Sequence, residues 1–142
     1  MTDEQLVPDL RMVLTRLIKK LRNKSTTSEK LSLTERSTIA LLDQHKELFP
    51  GDIAAMEKIT TQSMSQILNH LLELGYINRK SSKTDKRKSI ISLSKAGHDI
   101  LYKVRHERDE WLSKAIAETC TARDQEILRR ALVPLTKLID FD

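Results

Sequence analysis

The stretch Tyr76–Gly97, YINRKSSKTDKRKSIISLSKAG, decides the fold of this 142-residue chain. It contains two short runs typical of β-strands, Tyr76–Arg79 and Ser89–Leu93, on either side of the polar segment Lys80–Lys88. The pattern predicts a two-stranded hairpin with a charged tip. Because two strands alone are unstable in water, the hairpin must pack against neighbouring helices of the same domain.

Upstream of the hairpin, the sequence predicts a short helix, a tight turn and a longer helix. Pro50-Gly51 is expected to break the chain before the short helix, which holds Ile53–Ala55. The longer helix follows Lys58–Thr60 and ends near Gly75, a residue suited to the position just after a helix. Its apolar side consists of Met64, Ile67, Leu68, Leu71 and Leu72. This order of elements is typical of a helix-turn-helix.

Two further helices are predicted before this pair, from apolar residues spaced for one helical face. The first covers residues 3–23, and Thr2 with Gln5 is expected to form a capping box at its start. The second is expected to have Thr34 as its N-cap and to end near His45.

Two helices are also predicted after the hairpin. Ser94 is expected to cap a long helix whose polar middle, residues 105–110, interrupts the apolar stripe. The last helix starts near Thr121, which forms a capping-box-like pair with Asp124, and Pro134 is expected to kink it. The chain is therefore predicted to be mainly α with a small β-hairpin.

The positive charge of the chain is concentrated in the hairpin. The net charge is +5, and Arg79–Lys88 alone holds six basic residues and one aspartate, which is also a net +5. Such a local excess, with the remainder of the chain balanced, is expected of a surface that meets phosphates rather than of general solubility.

Several classes of protein are disfavoured by composition. No run of 18 apolar residues suggests a membrane span, and the first ten residues, MTDEQLVPDL, lack the apolar core of a signal peptide, so a soluble cytoplasmic protein is expected. The four histidines and the single Cys120 show no metal-ligand spacing, and no catalytic set, cofactor motif or phosphate loop is present in the sequence. We therefore expect neither an enzyme nor a metal or cofactor, and an inert Cys120 unless it pairs across a dimer axis.

The order strand, basic tip DKRK, strand and LSKAG resembles the signature of the MarR family of regulators, whose wing pattern is D-x-R, a strand and L-[ST]-x-x-G. The resemblance extends over essentially the whole chain. It implies a homodimer joined by its terminal helices, two winged helices that bind a pseudo-palindromic duplex, and in many members a small phenolic or lipophilic effector. One departure is Gln66, where the family commonly has a basic residue.

On this basis the helix after Lys58–Thr60 is the expected recognition helix. Its polar side has no Lys or Glu between Thr60 and His70, whereas a merely solvated helix in so charged a chain would carry both. Its short polar groups can pair with base edges or phosphates in the major groove. The predicted contacts are Thr61, Gln62, Ser63, Ser65, Gln66 and Asn69, and His70 lies on the same side.

The tip of the hairpin is the second predicted DNA contact, along or in the minor groove. Lys83, Lys86, Arg87 and Lys88 supply the positive charge, and Arg87 is the residue expected to enter the groove. Asp85 is expected to cap the turn or to pair with Arg87 and orient its guanidinium.

The two terminal helices are predicted to form a dimer, because a winged helix does not need them and their apolar stripes must be buried against something. The expected contacts are Leu6, Leu10, Leu14, Leu17, Leu128, Leu132 and Leu135. Residues 1–142 are then one domain, with 30–97 as the DNA-binding region and 1–24 plus 98–142 as dimerisation helices.

Three assignments remain open at this point. Trp111 is expected either in the core at the dimer junction or in the wall of a ligand pocket. Arg105 and Arg108 are expected to be solvated or to form salt bridges between subunits rather than to bind an anionic ligand. The alternative to DNA binding is a winged helix that binds proteins, which would explain the uncharged recognition helix but not six basic residues in the hairpin.

Overall fold

A computed structural model describes residues 3–142 of the chain, which form six α-helices and three β-strands. The helices are α1 (Leu6–Arg22), α2 (Leu33–His45), α3 (Pro50–Glu57), α4 (Thr61–Glu73), α5 (Lys95–Thr119) and α6 (Ala122–Ile139). The strands are β1 (Glu47–Leu48), β2 (Ile77–Ser81) and β3 (Ser89–Leu93), and a 3-10 turn covers Thr27–Lys30. The mainly α fold with a β-hairpin wing is confirmed.

The chain divides into two compact units. Residues 25–106 form the winged-helix unit, and the residues up to 24 together with 107–142 form the terminal unit. The division falls within α5, between His106 and Glu107. The first part of α5 belongs to the winged-helix unit, because Val104 is buried and Arg105 bonds to Asp43 of α2 at 3.2 Å.

The core of the winged-helix unit consists of apolar residues that α2, α3, α4 and the sheet turn toward one another. Helix α4 contributes Met64, Leu68 and Leu71, all fully buried, at the spacing of one helical face. Ile91 of β3 is also fully buried against this cluster. The sheet therefore packs on the helices, as the instability of an isolated hairpin requires.

The sheet has three antiparallel strands in the order β1-β3-β2, one more than the hairpin that the sequence predicted. The missed strand, β1, pairs Glu47 with Ser92 and Leu48 with Ile91. Two residues are too few to show any alternation. The extended backbone of Phe49 continues into Pro50, since a residue before proline avoids the helical conformation.

Two predicted helix starts are wrong in detail. Helix α2 has Ser32 as its N-cap rather than Thr34, because Ser32 and Glu35 form a reciprocal capping box. Helix α1 begins at Leu6, after the Asp3 carboxylate accepts bonds from the backbone N–H groups of Gln5 and Leu6. The capping residue expected there, Thr2, lies outside the described residues.

Pro50 starts α3 instead of breaking the chain before it. It occupies the first turn, where its missing N–H has no partner to lose. At the other end of the helix pair, Gly75 takes the predicted role with φ 80°. The N–H groups of Gly75 and Tyr76 bond to the carbonyls of Leu72 and Leu71, which makes a Schellman motif.

The predictions for the last two helix starts are confirmed. The Ser94 hydroxyl accepts from the N–H of Gly97 at 3.0 Å, and Thr121 forms a capping box with Asp124. Helix α5 runs without interruption through its polar middle. Helix α6 also continues through Pro134, and the kink there stays a prediction.

Candidate nucleic-acid interface

The start of α4 is held by Thr60. Its hydroxyl oxygen accepts from the N–H of Ser63 at 3.1 Å, while its O–H donates to the Ser63 hydroxyl at 2.9 Å. The Ser63 oxygen is thus engaged as an acceptor, and its own O–H remains available as a donor. Because the N-terminal N–H groups of a helix favour negative charge, this end of α4 is suited to a phosphate.

The polar side of α4 is exposed along its length. All six α4 residues predicted to contact DNA are exposed, and no charged side chain lies among them. On the opposite side the helix is fixed by Met64, Leu68 and Leu71 in the core. The structure therefore places one uncharged, hydrogen-bonding face outward; it consists of Thr61, Gln62, Ser63, Ser65, Gln66 and Asn69.

His70, which the sequence placed on that face, is exposed there and also contacts α2. Its Nδ1 bonds to Oε2 of Glu35, a largely buried carboxylate. Burial raises the pKa of Glu35, but the bonds from Ser32 and His70 outweigh burial and bring the pKa below its ordinary value. Sequence reasoning missed Glu35, because its spacing to Ser32 signals only a helix cap.

The wing, residues 77–93, is closed by hydrogen bonds at its base and within its tip. Strands β2 and β3 pair from Ile77 with Leu93 to Ser81 with Ser89, and beyond them the N–H of Ser82 donates to the carbonyl of Lys88 at 2.8 Å. The buried Ser82 hydroxyl bonds to that of Thr84 at 3.0 Å. These bonds give the basic segment a fixed base.

Asp85 makes both of the interactions expected from the sequence. Its Oδ1 accepts from the backbone N–H of Arg87 at 3.0 Å, which caps the turn, and lies 3.4 Å from Nε of the same residue. The Arg87 side chain is 92% exposed. The contact therefore orients the base of the guanidinium and leaves its outer edge free for a partner.

The basic side chains of the tip do not all extend freely. Lys83, Lys86 and Arg87 are exposed. The ammonium of Lys88, also exposed, lies 5.4 Å from the ring centroid of Phe49. This cation–π contact links the tip to the segment before α3, and the sequence offered no signal for Phe49 because the two residues are far apart in the chain.

The motif LSKAG joins the wing to the end of the recognition helix. The Ser94 hydroxyl donates to the carbonyl of Gly75 at 2.5 Å, and the Ser94 N–H donates to that of Tyr76 at 3.0 Å. A Cβ at Gly97 would lie 2.0 Å from the Tyr76 carbonyl oxygen, so only glycine fits. The motif thus holds wing and recognition helix in one geometry.

Comparison with known proteins agrees with this geometry. Residues 30–88 match the model of the MarR family, which covers α2, the helix-turn-helix and the wing up to its tip. An HTH-type transcriptional regulator of Mycobacterium tuberculosis is 29% identical over 139 residues, covering 98% of this chain and 96% of that protein.

In its winged-helix unit the chain is similar to the MarR family. Its fold is shared with apo MarR of Escherichia coli, with a TM-score of 0.72 and 14% identity over 95% of this chain and 97% of that one. It is also shared with a point mutant of MepR from Staphylococcus aureus, solved bound to an oligodeoxyribonucleotide, with a TM-score of 0.70 and 18% identity over 99% and 100% of the two chains. The family and the named relative are transcription regulators, not enzymes.

The terminal unit has no buried residue among those described. Of the seven leucines predicted at a dimer contact, Leu10, Leu14 and Leu135 are half-buried within one chain. The other four are exposed: Leu6, Leu17, Leu128 and Leu132. A groove of about 570 Å³ between α5 and α6 is lined partly by Leu128 and Leu132.

Trp111 and Arg105 have partners that the sequence did not indicate. The Lys20 and Lys24 ammonium groups lie 5.8 and 5.3 Å from the ring centroid of the half-buried Trp111, at cation–π distance. Arg105 forms its salt bridge within the chain, with Asp43. Arg108 donates to the carbonyl of Arg22 at 3.3 Å.

Residues 3–142 contain no group of three or more His, Cys, Asp or Glu side chains that could hold a metal ion. Within the same residues, no helix is long and apolar enough to cross a bilayer.

Proposed function

We propose that this protein is a cytoplasmic, sequence-specific transcription repressor that binds a pseudo-palindromic DNA duplex as a homodimer. The observation that carries the proposal is the pairing, within one folded unit, of the uncharged polar face of α4 with the exposed basic tip of the wing. The first can form hydrogen bonds with bases, and the second supplies charge for the DNA backbone.

In this proposal the N-terminal half of α4 enters the major groove. Thr61, Gln62 and Ser63 lie at the leading end, where helices of this type contact base edges. Gln62 has both a donor and an acceptor, so it can bind adenine through N6 and N7. Ser65, Gln66 and Asn69 follow on the same face. Gln66, at a position that is commonly basic in the family, would form a neutral bond there.

The wing then lies over the adjacent minor groove. Arg87 is the residue proposed to enter it, because Asp85 holds the near side of its guanidinium and leaves the outer edge exposed. Lys83 and Lys86 would contact phosphates. Lys88 contributes charge near the base of the tip, since its contact with Phe49 holds it there.

Dimerisation is proposed through the terminal unit. Its helices α1 and α6 carry apolar stripes that one chain leaves uncovered, and exposed apolar patches of this kind mark interaction sites. A second copy presents the same stripes, so an isologous two-fold contact buries both. The two half-sites should then lie about one helical turn, roughly 34–36 Å, apart.

Salt-dependent binding tests the proposal. A duplex is first selected by the protein from a random-sequence pool, and its affinity is measured by fluorescence anisotropy at several salt concentrations, beside a shuffled duplex of the same composition. We expect tighter binding to the selected duplex and a linear fall of log K with log salt for both. Failure to bind either duplex would favour the alternative, a winged helix that binds proteins.

The proposal also includes repression of transcription and relief of that repression by a small ligand. Transcription in vitro from a promoter that contains the selected site should fall when the protein is added. Relief by a small phenolic or lipophilic ligand rests on the family resemblance, and a panel of phenolic acids tested for release of the DNA examines it. If transcription rises on addition of the protein, the protein is an activator and the repressor assignment is wrong.

A further inference from the structure

One polar contact ties the recognition helix to α2, and neither the hydrophobic core nor the proposed DNA contacts account for it. Oε2 of Glu35 bonds to Nδ1 of His70, while Oε1 accepts from the backbone N–H of Ser32 at 2.9 Å. The N–H of Glu35 in turn donates to the Ser32 hydroxyl at 3.1 Å. One largely buried carboxylate therefore caps α2 and holds α4 at the same time.

The contact lies next to the exposed polar face of α4. His70 follows Asn69 directly and is one helical turn beyond Gln66, so all three share one side of the helix. The opposite side is held by apolar packing, which is not directional, whereas a hydrogen bond requires a particular distance and angle. The bond to Glu35 therefore restrains the rotation of the polar face about the helix axis.

The strength of this contact depends on the charge of the imidazole. The pKa of Glu35 lies below its ordinary value, so the carboxylate is ionised throughout the neutral range. A neutral His70 can donate one hydrogen bond from Nδ1, and a protonated His70 forms an ion pair in the same geometry. Charge-assisted bonds are shorter and stronger, and histidine is the side chain whose charge changes between about pH 5 and 8.

His70 faces no second ionisable partner among residues 3–142. On α2, Arg36 donates to a backbone carbonyl, and on α3, Glu57 accepts from Ser37 at 2.5 Å. Arg79 of β2 and Glu73 of α4 are exposed and form no ion pair with the imidazole. Glu35 is thus the group through which the charge of His70 acts on the fold.

We infer that His70 is a positioning residue for DNA recognition: its protonation tightens the contact with Glu35, fixes the polar face of α4 and strengthens binding of duplex DNA as the pH falls. The inference rests on the proposed function. In addition to that function, it states that a proton is taken up when the protein binds DNA. Each such proton changes the affinity for DNA by at most about tenfold per pH unit.

The first test compares three variants between about pH 8 and pH 6, on the duplex selected by the wild-type protein. His70→Gln removes the titrating group, and Glu35→Gln removes its partner but keeps the cap, because glutamine also suits a capping box. His45→Gln is the matched control, since His45 is an exposed histidine at the end of α2. We expect affinity to rise about threefold to tenfold for wild type and control, and clearly less for the other two.

Two outcomes would contradict the inference. If Glu35→Gln keeps the full rise and His70→Gln loses it, the imidazole acts on the DNA directly and not through α2. If both variants keep the rise, other histidines account for it.

A second measurement needs no DNA and separates this inference from the proposed function. In NMR spectra of the free protein, the backbone amides of Gln66 and Asn69 should shift as His70 titrates in the wild type, and much less in Glu35→Gln. Stationary amides during that titration would refute the coupling even if DNA binds normally. If the amides move and no duplex binds, the coupling stands and the proposed function is wrong.

Discussion

The winged-helix unit and the terminal unit use similar apolar stripes with opposite results. Every buried hydrophobic residue described lies within residues 25–106, whereas α1 and α6 bury none. Most of the large exposed hydrophobic side chains lie in the terminal unit, Ile139 among them at 80% exposure. The apolar face of an amphipathic helix is therefore buried only where a second apolar surface packs against it, and the stability of the helix depends on that packing.

The ion pairs of the two units also differ, in whether they join different helices. In the winged-helix unit Glu35 and Asp43 bond to side chains on other helices, namely His70 and Arg105. In the terminal unit the pairs Lys114–Glu118 and Arg130–Glu126 lie one turn apart on a single helix. Exposed pairs of that kind contribute about 0.3–0.5 kcal/mol each. These ion pairs of the winged-helix unit thus join different helices, whereas those of the terminal unit lie within one helix.

The largest expected effect comes from placing charge on the uncovered stripe. Replacement of Leu10, Leu14 and Leu17 by Asp should give monomers or insoluble protein, because carboxylates cannot be buried unpaired in an apolar interface. Sedimentation of the variant measures this directly.

Arg16→Asp with Lys19→Asp is the matched control, since these residues lie on the polar side of α1, and it should remain a dimer. An intact dimer in the triple leucine variant would show that α1 does not form the interface and would remove the main contrast between the units.

The second effect compares one leucine in each unit. Leu68→Ala should lower the free energy of unfolding by about 2–5 kcal/mol, because it leaves a cavity in a fully buried site. Leu132→Ala changes an exposed side chain, so its cost within one chain should stay below about 1 kcal/mol.

Urea unfolding at several protein concentrations measures both. For Leu132→Ala the destabilisation should appear as a weaker dimer and grow on dilution, whereas the destabilisation by Leu68→Ala should not depend on the subunit interface. Equal effects of both variants at every concentration would mean that the terminal helices are covered within one chain.

The third effect distinguishes the wing from helix α4 within the winged-helix unit. Arg87→Ala removes a charge from the wing, so it should weaken binding on nearly all sequences and reduce the salt slope by about one in each subunit that binds a phosphate through Arg87. Gln62→Ala removes a neutral donor and acceptor, which should cost about 1–3 kcal/mol per base contact on the selected duplex and little on a shuffled one.

Titration of both variants at several salt concentrations distinguishes these roles. The proposed docking requires the salt slope to follow Arg87 and the sequence preference to follow Gln62. The reverse assignment would overturn it.

The smallest expected effect is that of Cys120→Ser, which should not change DNA affinity. Cys120 lies between α5 and α6, is half-buried, and its sulfur is 3.7 Å from the Thr119 hydroxyl. Cys120→Ser should therefore leave DNA affinity unchanged in both peroxide and reductant. Binding by the wild type that weakens in peroxide, with no such change in Cys120→Ser, would show that this thiol is a redox switch.

Local signals account for the elements that the sequence predicted correctly. Gly75 at the end of α4 and the caps at Ser94 and Thr121 depend on residues within a few positions of one another. The strands of the wing were predicted from residue type. Three starts were wrong where capping signals overlapped or were misinterpreted: α1 begins at Leu6, Ser32 rather than Thr34 caps α2, and Pro50 lies inside α3.

What the amino-acid sequence determined by itself was the order of helices, the hairpin, its charge and the polar side of α4, because spacing and residue type express these directly. Only the tertiary structure decided that His70 turns to Glu35, that Lys88 lies over Phe49, that β1 joins the sheet and that Lys20 and Lys24 lie at cation–π distance from Trp111. Each of these contacts joins residues that are distant in the chain or too few to form a pattern. Their partners are set by how the helices pack, and no local sequence signal carries that information.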